Sequence, residues 1–270
     1  MKRWEGMWAV AVVGFWAALT PVAHAQTEEC LDLNGDGVED TVVVSGDTVT
    51  IAGGGTTRVY SPGAWNLMLP LEMDGAPGCE LLFIQDGSAA VVTHRTLSTD
   101  SYNVGAWYGA GFADLDGQPG DELYVSGGFN ITVVTQRDRT SKVYPVGTWS
   151  VLAALDLDGQ PGRELYVIDG PRLRVISHAT QSWWTYDAGP WTSVQPVETD
   201  GNAGEELVFT EGDNVRIFSL LDRGFREYTV GGWNDMSHYQ QDGLPGEELV
   251  FAVGGRIFVI NDARRETYSL

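Results

Sequence analysis

An aspartate followed by glycine recurs in this chain every 42 residues, at Asp74, Asp116, Asp158, Asp200 and Asp242. A tryptophan keeps the same step at Trp65, Trp107, Trp149, Trp191 and Trp233, each two residues after a glycine. A tyrosine does so at Tyr60, Tyr102, Tyr144, Tyr186 and Tyr228. Three residue types holding one period mean that a single supersecondary unit is stacked on copies of itself, because no unit this small buries its own apolar face.

Each unit reads as four short strands. In the copy that begins at Trp149, the run to Leu155 is extended and apolar, and a turn with two glycines and a proline fills Asp156–Glu164. Leu165 to Ile168 is rich in β-branched and aromatic residues, Asp169-Gly170 marks a tight turn, and Leu173 to Ser177 alternates like a half-buried strand. Ser182 to Tyr186 supplies a fourth strand, and Gly189 opens the next unit. No segment sustains a helical period. Four strands in 42 residues is the size of a propeller blade. The expected fold is therefore all-β: a six-bladed β-propeller of about 42-residue four-stranded blades over residues 26–270. Six copies of the turn support that count, the first at Asp32–Asp40, as does a sixth tyrosine at Tyr268. Glu28 to Asp32 would supply a shortened first strand for the first blade.

Residues 1–25 have the anatomy of a secretory signal: Lys2 and Arg3, an apolar run from Met7 to Leu19, then Ala23-His24-Ala25. The run is short for a bilayer span. The expectation is a secreted or periplasmic monomer with no membrane span after signal cleavage. Cys30 and Cys79 are the only cysteines. In an oxidising compartment they favour a disulfide that staples the first blade to the second, against the alternative of two free thiols. The formal charge of −21 opposes nucleic acid and anionic membranes as partners and suits bound cations.

The acids are concentrated in the turns, which hold 21 of the 36 acidic residues that follow the leader. In the first turn, oxygen-bearing side chains fall at alternate positions, Asp32, Asn34 and Asp36, with Asp40 at the ninth and the Val38 carbonyl at the seventh. Calcium takes about six to eight hard oxygens in a flexible cage, and Gly35 and Gly37 permit the tight backbone. The competing reading is a metal-free Asx-turn network, in which the carboxylates accept from backbone N–H groups.

The run Asp32-Leu33-Asn34-Gly35-Asp36-Gly37-Val38-Glu39-Asp40, followed by Thr41-Val42-Val43-Val44, resembles the FG-GAP/VCBS class of repeats. Those repeats build the propeller of integrin α-subunits and many secreted bacterial propellers. The resemblance implies structural calcium held by loops between the first and second strands, on one rim of the disc. It is specific only at the loops. The other turns depart from the full pattern. Asp114, Asp116, Gln118, the Gly120 carbonyl and Glu122 form one candidate set, and Asp156, Asp158, Gln160, the Gly162 carbonyl and Glu164 another. Glu72, Asp74 and Glu80 have Ala76 between them, and Glu198, Asp200, Asn202 and Glu206 begin on glutamate. The last turn has Gln240 and Leu244 at donor positions and is expected to hold no ion.

No His-x-x-x-His, Gly-x-Ser-x-Gly or Cys-x-x-Cys occurs. The expectation is a binding or adhesion module that recognises a glycan or protein surface, not an enzyme. The alternatives are a hydrolase or lyase using a central channel, or a structural component of an envelope assembly. The repeated tryptophans and tyrosines read as packing between blades. Residues that vary between copies are the better contact candidates: Tyr108, Trp183, Trp184, Phe225 and His238.

Overall fold

The computed structural model describes residues 30–85 and 87–270. The expected leader lies outside the described residues, as do Glu28 and Glu29. Among the described residues the regular structure is strand throughout, apart from one turn of 3-10 helix at His94–Thr96. Five antiparallel sheets of four strands occupy residues 67–105, 109–145, 151–187, 193–229 and 235–269. A sheet of three strands, Thr41–Ser45, Thr48–Gly53 and Thr56–Tyr60, precedes them. In every sheet the strand order follows the chain.

The fourth sheet illustrates the unit. Its strands are Val151–Leu155, Glu164–Asp169, Arg172–Ser177 and Ser182–Asp187. Leu165 stands opposite Ile176, and Tyr166 opposite Val175. The tight turn between these strands puts Gly170 at φ +52°, a backbone region that glycine enters without steric cost.

Among the described residues the first sheet has three strands, and the expected shortened first strand, Glu28 to Asp32, lies partly outside them. Where its first strand would lie, the Asp40 N–H donates to the Leu31 carbonyl at 2.7 Å. That is the register of Leu71 opposite Glu80 and Leu155 opposite Glu164 in complete sheets. Among the described residues no strand continues this pairing. Thr41–Ser45 is consequently mostly exposed, whereas its counterparts at Glu80–Gln85 and Glu164–Asp169 are buried almost throughout.

The chain divides into two compact units at Thr148 and Trp149, each holding three sheets. Within the first unit, Val49 and Ile51 of the first sheet pack on Leu81 and Phe83 of the second. The alternate residues Leu82 and Ile84 face Leu123 and Val125 of the third. A two-residue period buried on both faces explains why that strand reads as a continuous apolar run. Within the second unit, Tyr166 and Ile168 pack on Leu207 and Phe209, while Val208 and Ile217 pack on Leu249 and Phe251.

The repeated aromatics serve these interfaces. Trp65 meets Phe83 edge-on with ring centroids 5.8 Å apart, and Trp233 meets Phe251 at 5.5 Å. Tyrosines tie one sheet to the next through their hydroxyls. Tyr60 bonds His94 Nδ1 at 2.7 Å, Tyr102 donates to Gln136 Oε1 at 2.6 Å, and Tyr228 donates to Asp262 Oδ1 at 2.6 Å. Burial pushes the Tyr102 hydroxyl up to about 12, so it remains a donor at any physiological pH.

Candidate functional site

Each acidic turn precedes the first residue or two of a sheet's second strand, and all six are built by the same three hydrogen bonds. In the fourth turn, Asp156 Oδ1 accepts from Gly159 N–H at 2.7 Å, and Asp158 Oδ1 accepts from Gln160 N–H at 2.9 Å. Glu164 Oε2 accepts from Leu157 N–H at 3.1 Å. The first turn has the counterparts Gly35 to Asp32, Asp36 to Asn34 and Leu33 to Asp40. Even the last turn keeps them, with Gln240 accepting from Gly243, Asp242 from Leu244 and Glu248 from Gln241. The same hydrogen bonds thus shape the backbone in the last turn, whose set of oxygen donors is incomplete.

Neighbouring turns interlock within each unit. Cys79 N–H donates to the Asp32 carbonyl at 2.9 Å, and Glu205 N–H to the Asp156 carbonyl at 2.7 Å. The repeated glycine sits at this contact. Gly35 has φ +77°, and a Cβ there would lie 2.3 Å from the Pro77 carbonyl oxygen. The Cys30–Cys79 disulfide joins the first two turns covalently, with Cα atoms 6.0 Å apart.

Four turns bring one carboxylate oxygen from each of three acids within 4.8 Å of one another. The groups are Glu72–Asp74–Glu80, Asp114–Asp116–Glu122, Asp156–Asp158–Glu164 and Glu198–Asp200–Glu206. The last glutamate of each is buried. Burial pushes Glu80, Glu122, Glu164 and Glu206 up to about 7, against the pull of the backbone N–H each accepts; repulsion adds to it, from two neighbouring acids at Glu80, Glu122 and Glu164 and from Asp200 alone at Glu206. All donors are hard oxygens, the chemistry calcium takes. Gln118, Gln160 and Asn202, and the Gly120 and Gly162 carbonyls, belong to the same turns.

The first turn differs. Asp32, Asp36 and Asp40 do not form such a three-acid group among the described residues. Asp32 instead accepts from Gly35, Asp36 and Gly37, Asp40 accepts from Leu33 and the Asn34 amide, and Val38 is exposed.

Counter-charge separates the remaining turns. Arg95 reaches Asp74 at 2.7 Å, Arg137 reaches Asp116 at 2.7 Å, and Arg226 lies 3.4 Å from Asp200. Arg264 sits 3.1 Å from Asp242. In the fourth sheet, between the strands Arg172–Ser177 and Ser182–Asp187, Ala179 stands one repeat beyond Arg137. Among the described residues no basic side chain forms an ion pair with Asp156, Asp158 or Glu164. The 42-residue step from Arg95 to Arg137 to Ala179 carries this signal in sequence. Arg226 does not share it, because it approaches from a fourth strand.

The aromatic candidates part into two kinds. Trp184 and Phe225 are half-buried and pack against one cluster, Phe225 lying 5.7 Å from Phe209 and 5.2 Å from Phe218. Tyr108 and Trp183 are exposed at 73% and 51%, and His238 is exposed beside its partner Glu247.

No family model and no curated protein matches the chain. Among solved structures it is similar to a lectin of Agrocybe aegerita described for specific recognition of non-reducing terminal N-acetylglucosamine. The TM-score is 0.46 at 13% identity, over 88% of this chain and 78% of that one. It is also similar to a streptogramin B lyase, with TM-score 0.37 at 14% identity over 83% and 75% of the two chains. A third is the extracellular domain of BT4673 from B. thetaiotaomicron, with TM-score 0.37 at 14% identity, covering 83% of this chain and 35% of that one.

Proposed function

We propose that this chain is a secreted or periplasmic binding module of the FG-GAP/VCBS type. Its six sheets close as a propeller, calcium stabilises its acidic turns, and its partner is a glycan or protein surface. The observation that carries the calcium reading is the Asp156–Asp158–Glu164 turn, where two carboxylates converge on a buried glutamate and, among the described residues, no base is ion-paired with the three. Unneutralised, such a group repels itself, and a divalent cation removes that cost. Asp156, Asp158 and Glu164 would hold the ion, with Gln160 and the Gly162 carbonyl completing its oxygens. The oxygen-rich first turn is the second site in this reading, through Asp32, Asn34, Asp36, Asp40 and the Val38 carbonyl. In the second, third and fifth turns an arginine already neutralises one carboxylate.

The Cys30–Cys79 disulfide fits an oxidising compartment. Among the described residues no helix is long and apolar enough to cross a membrane. The test is a calcium titration followed by thermal melting. Calcium raises Tm, Asp158→Asn removes much of that shift, and Asp74→Asn removes little. A Tm indifferent to millimolar calcium at neutral pH would overturn the calcium role.

A further inference from the structure

Hairpin turns lie at the ends of the second strands opposite the acidic turns. There, within the second unit, two cavities adjoin. One, of about 470 Å³, is lined by Ser150, Gly170, Pro171, Pro190 and Trp191. The other, of about 440 Å³, is bordered by Pro190 together with Glu211, Asn214, Arg216, Glu227 and Thr229. Pro190 belongs to both.

The first cavity is a fixed apolar shelf. The Trp191 indole N–H donates to the Gly170 carbonyl at 2.6 Å, which sets the plane of the ring. Part of the ring packs against the core shared by the fourth and fifth sheets, and part borders the cavity. The two prolines are particular to this copy. Ala64, Ala106, Thr148 and Gly232 stand where Pro190 does, and Phe129, Asp213 and Gly255 stand where Pro171 does. Packing between sheets therefore does not require them.

The second cavity is polar on both walls. Arg216 lies opposite Glu227 in the strand register, and Asn214 lies opposite both Thr229 and Glu211. Arg216 also donates to the Pro190 carbonyl, which ties the polar wall to the shelf. These side chains offer donors and acceptors together. Two carboxylates against one guanidinium leave the slot net negative.

A pyranose has one face of C–H groups and a rim of hydroxyls that both donate and accept. It needs a flat apolar platform beside mixed polar groups. We propose that this double cavity is a saccharide site, with Trp191 as the stacking platform and Asn214, Arg216 and Glu227 as hydroxyl partners. Neutral and amino sugars suit it, and acidic sugars are repelled by Glu211 and Glu227. The proposal rests on the binding-module reading above and assigns that module its site.

The experiment is a glycan array of neutral, amino and acidic sugars on the full chain with calcium, followed by titration calorimetry on the strongest hit. A neutral or amino glycan binds, Trp191→Ala weakens it at least thirtyfold, and Asn214→Ala and Glu227→Gln weaken it at least tenfold with Tm unchanged. The last two variants lie on exposed positions and keep the test valid should Trp191→Ala unfold the chain. Binding undiminished in Asn214→Ala and Glu227→Gln overturns this site and leaves the binding-module reading standing. Preference for acidic glycans also overturns it. Silence across the array overturns both the site and the glycan half of the functional reading.

Discussion

Glu164→Gln tests the charge argument directly. Glu164 is 3% exposed and shares its turn with Asp156 and Asp158. Folding raises its pKa from an ordinary 4.5 to about 7. Between those values the folded chain holds a proton that the unfolded chain has released. Stability from this group is complete below pH 4.5 and is lost as pH rises through 7. At about 1.4 kcal/mol per pH unit, the loss approaches about 3 kcal/mol at pH 8. Glutamine keeps an acceptor for the Leu157 N–H and removes the charge. The expected result in chelator is a variant more stable than wild type by about 2–3 kcal/mol at pH 8 and indistinguishable from it at pH 4. Millimolar calcium at pH 8 reverses the order, because only the wild type keeps the buried carboxylate for the ion. Urea denaturation of both chains at pH 4, 6 and 8, with chelator and with calcium, measures each term. A variant less stable than wild type at pH 8 in chelator would refute the reasoning, since the hydrogen bond to the ionised carboxylate would then outweigh its repulsion.

Ala179→Arg should place a guanidinium beside Asp158, as Arg137 stands beside Asp116, and so reduce the calcium-induced rise in Tm. An undiminished rise, measured by calorimetry, would count against arginine as a substitute for the cation. Gly35→Ala should cost more than about 2 kcal/mol, because it combines a positive φ with a clash on Pro77. Gly46→Ala, with φ +56° and nothing within 4 Å, should cost about 1 kcal/mol. Paired Cys30→Ala and Cys79→Ala substitutions should cost up to about 4 kcal/mol, the chain-entropy value for a loop of 49 residues, read by denaturation under oxidising conditions.

Much of this architecture is written in the 42-residue step, because it depends on neighbours in the chain. A β-branched run, a glycine that tolerates positive φ and an aspartate that accepts from N–H groups two or three residues away act locally, so copying them copies the sheet. The second to sixth sheets and the shared turn were legible in that way, as was the Cys30–Cys79 bond. Tertiary packing decided the rest. It packed Phe225 against Phe209 and Phe218, and it brought Arg226 from a fourth strand onto Asp200. It left the first sheet with three strands among the described residues, and it buried Glu164 between two acids. Those outcomes depend on which side chains meet across sheets and how much water remains between them. A linear pattern fixes neither, since Coulomb forces and desolvation act through space.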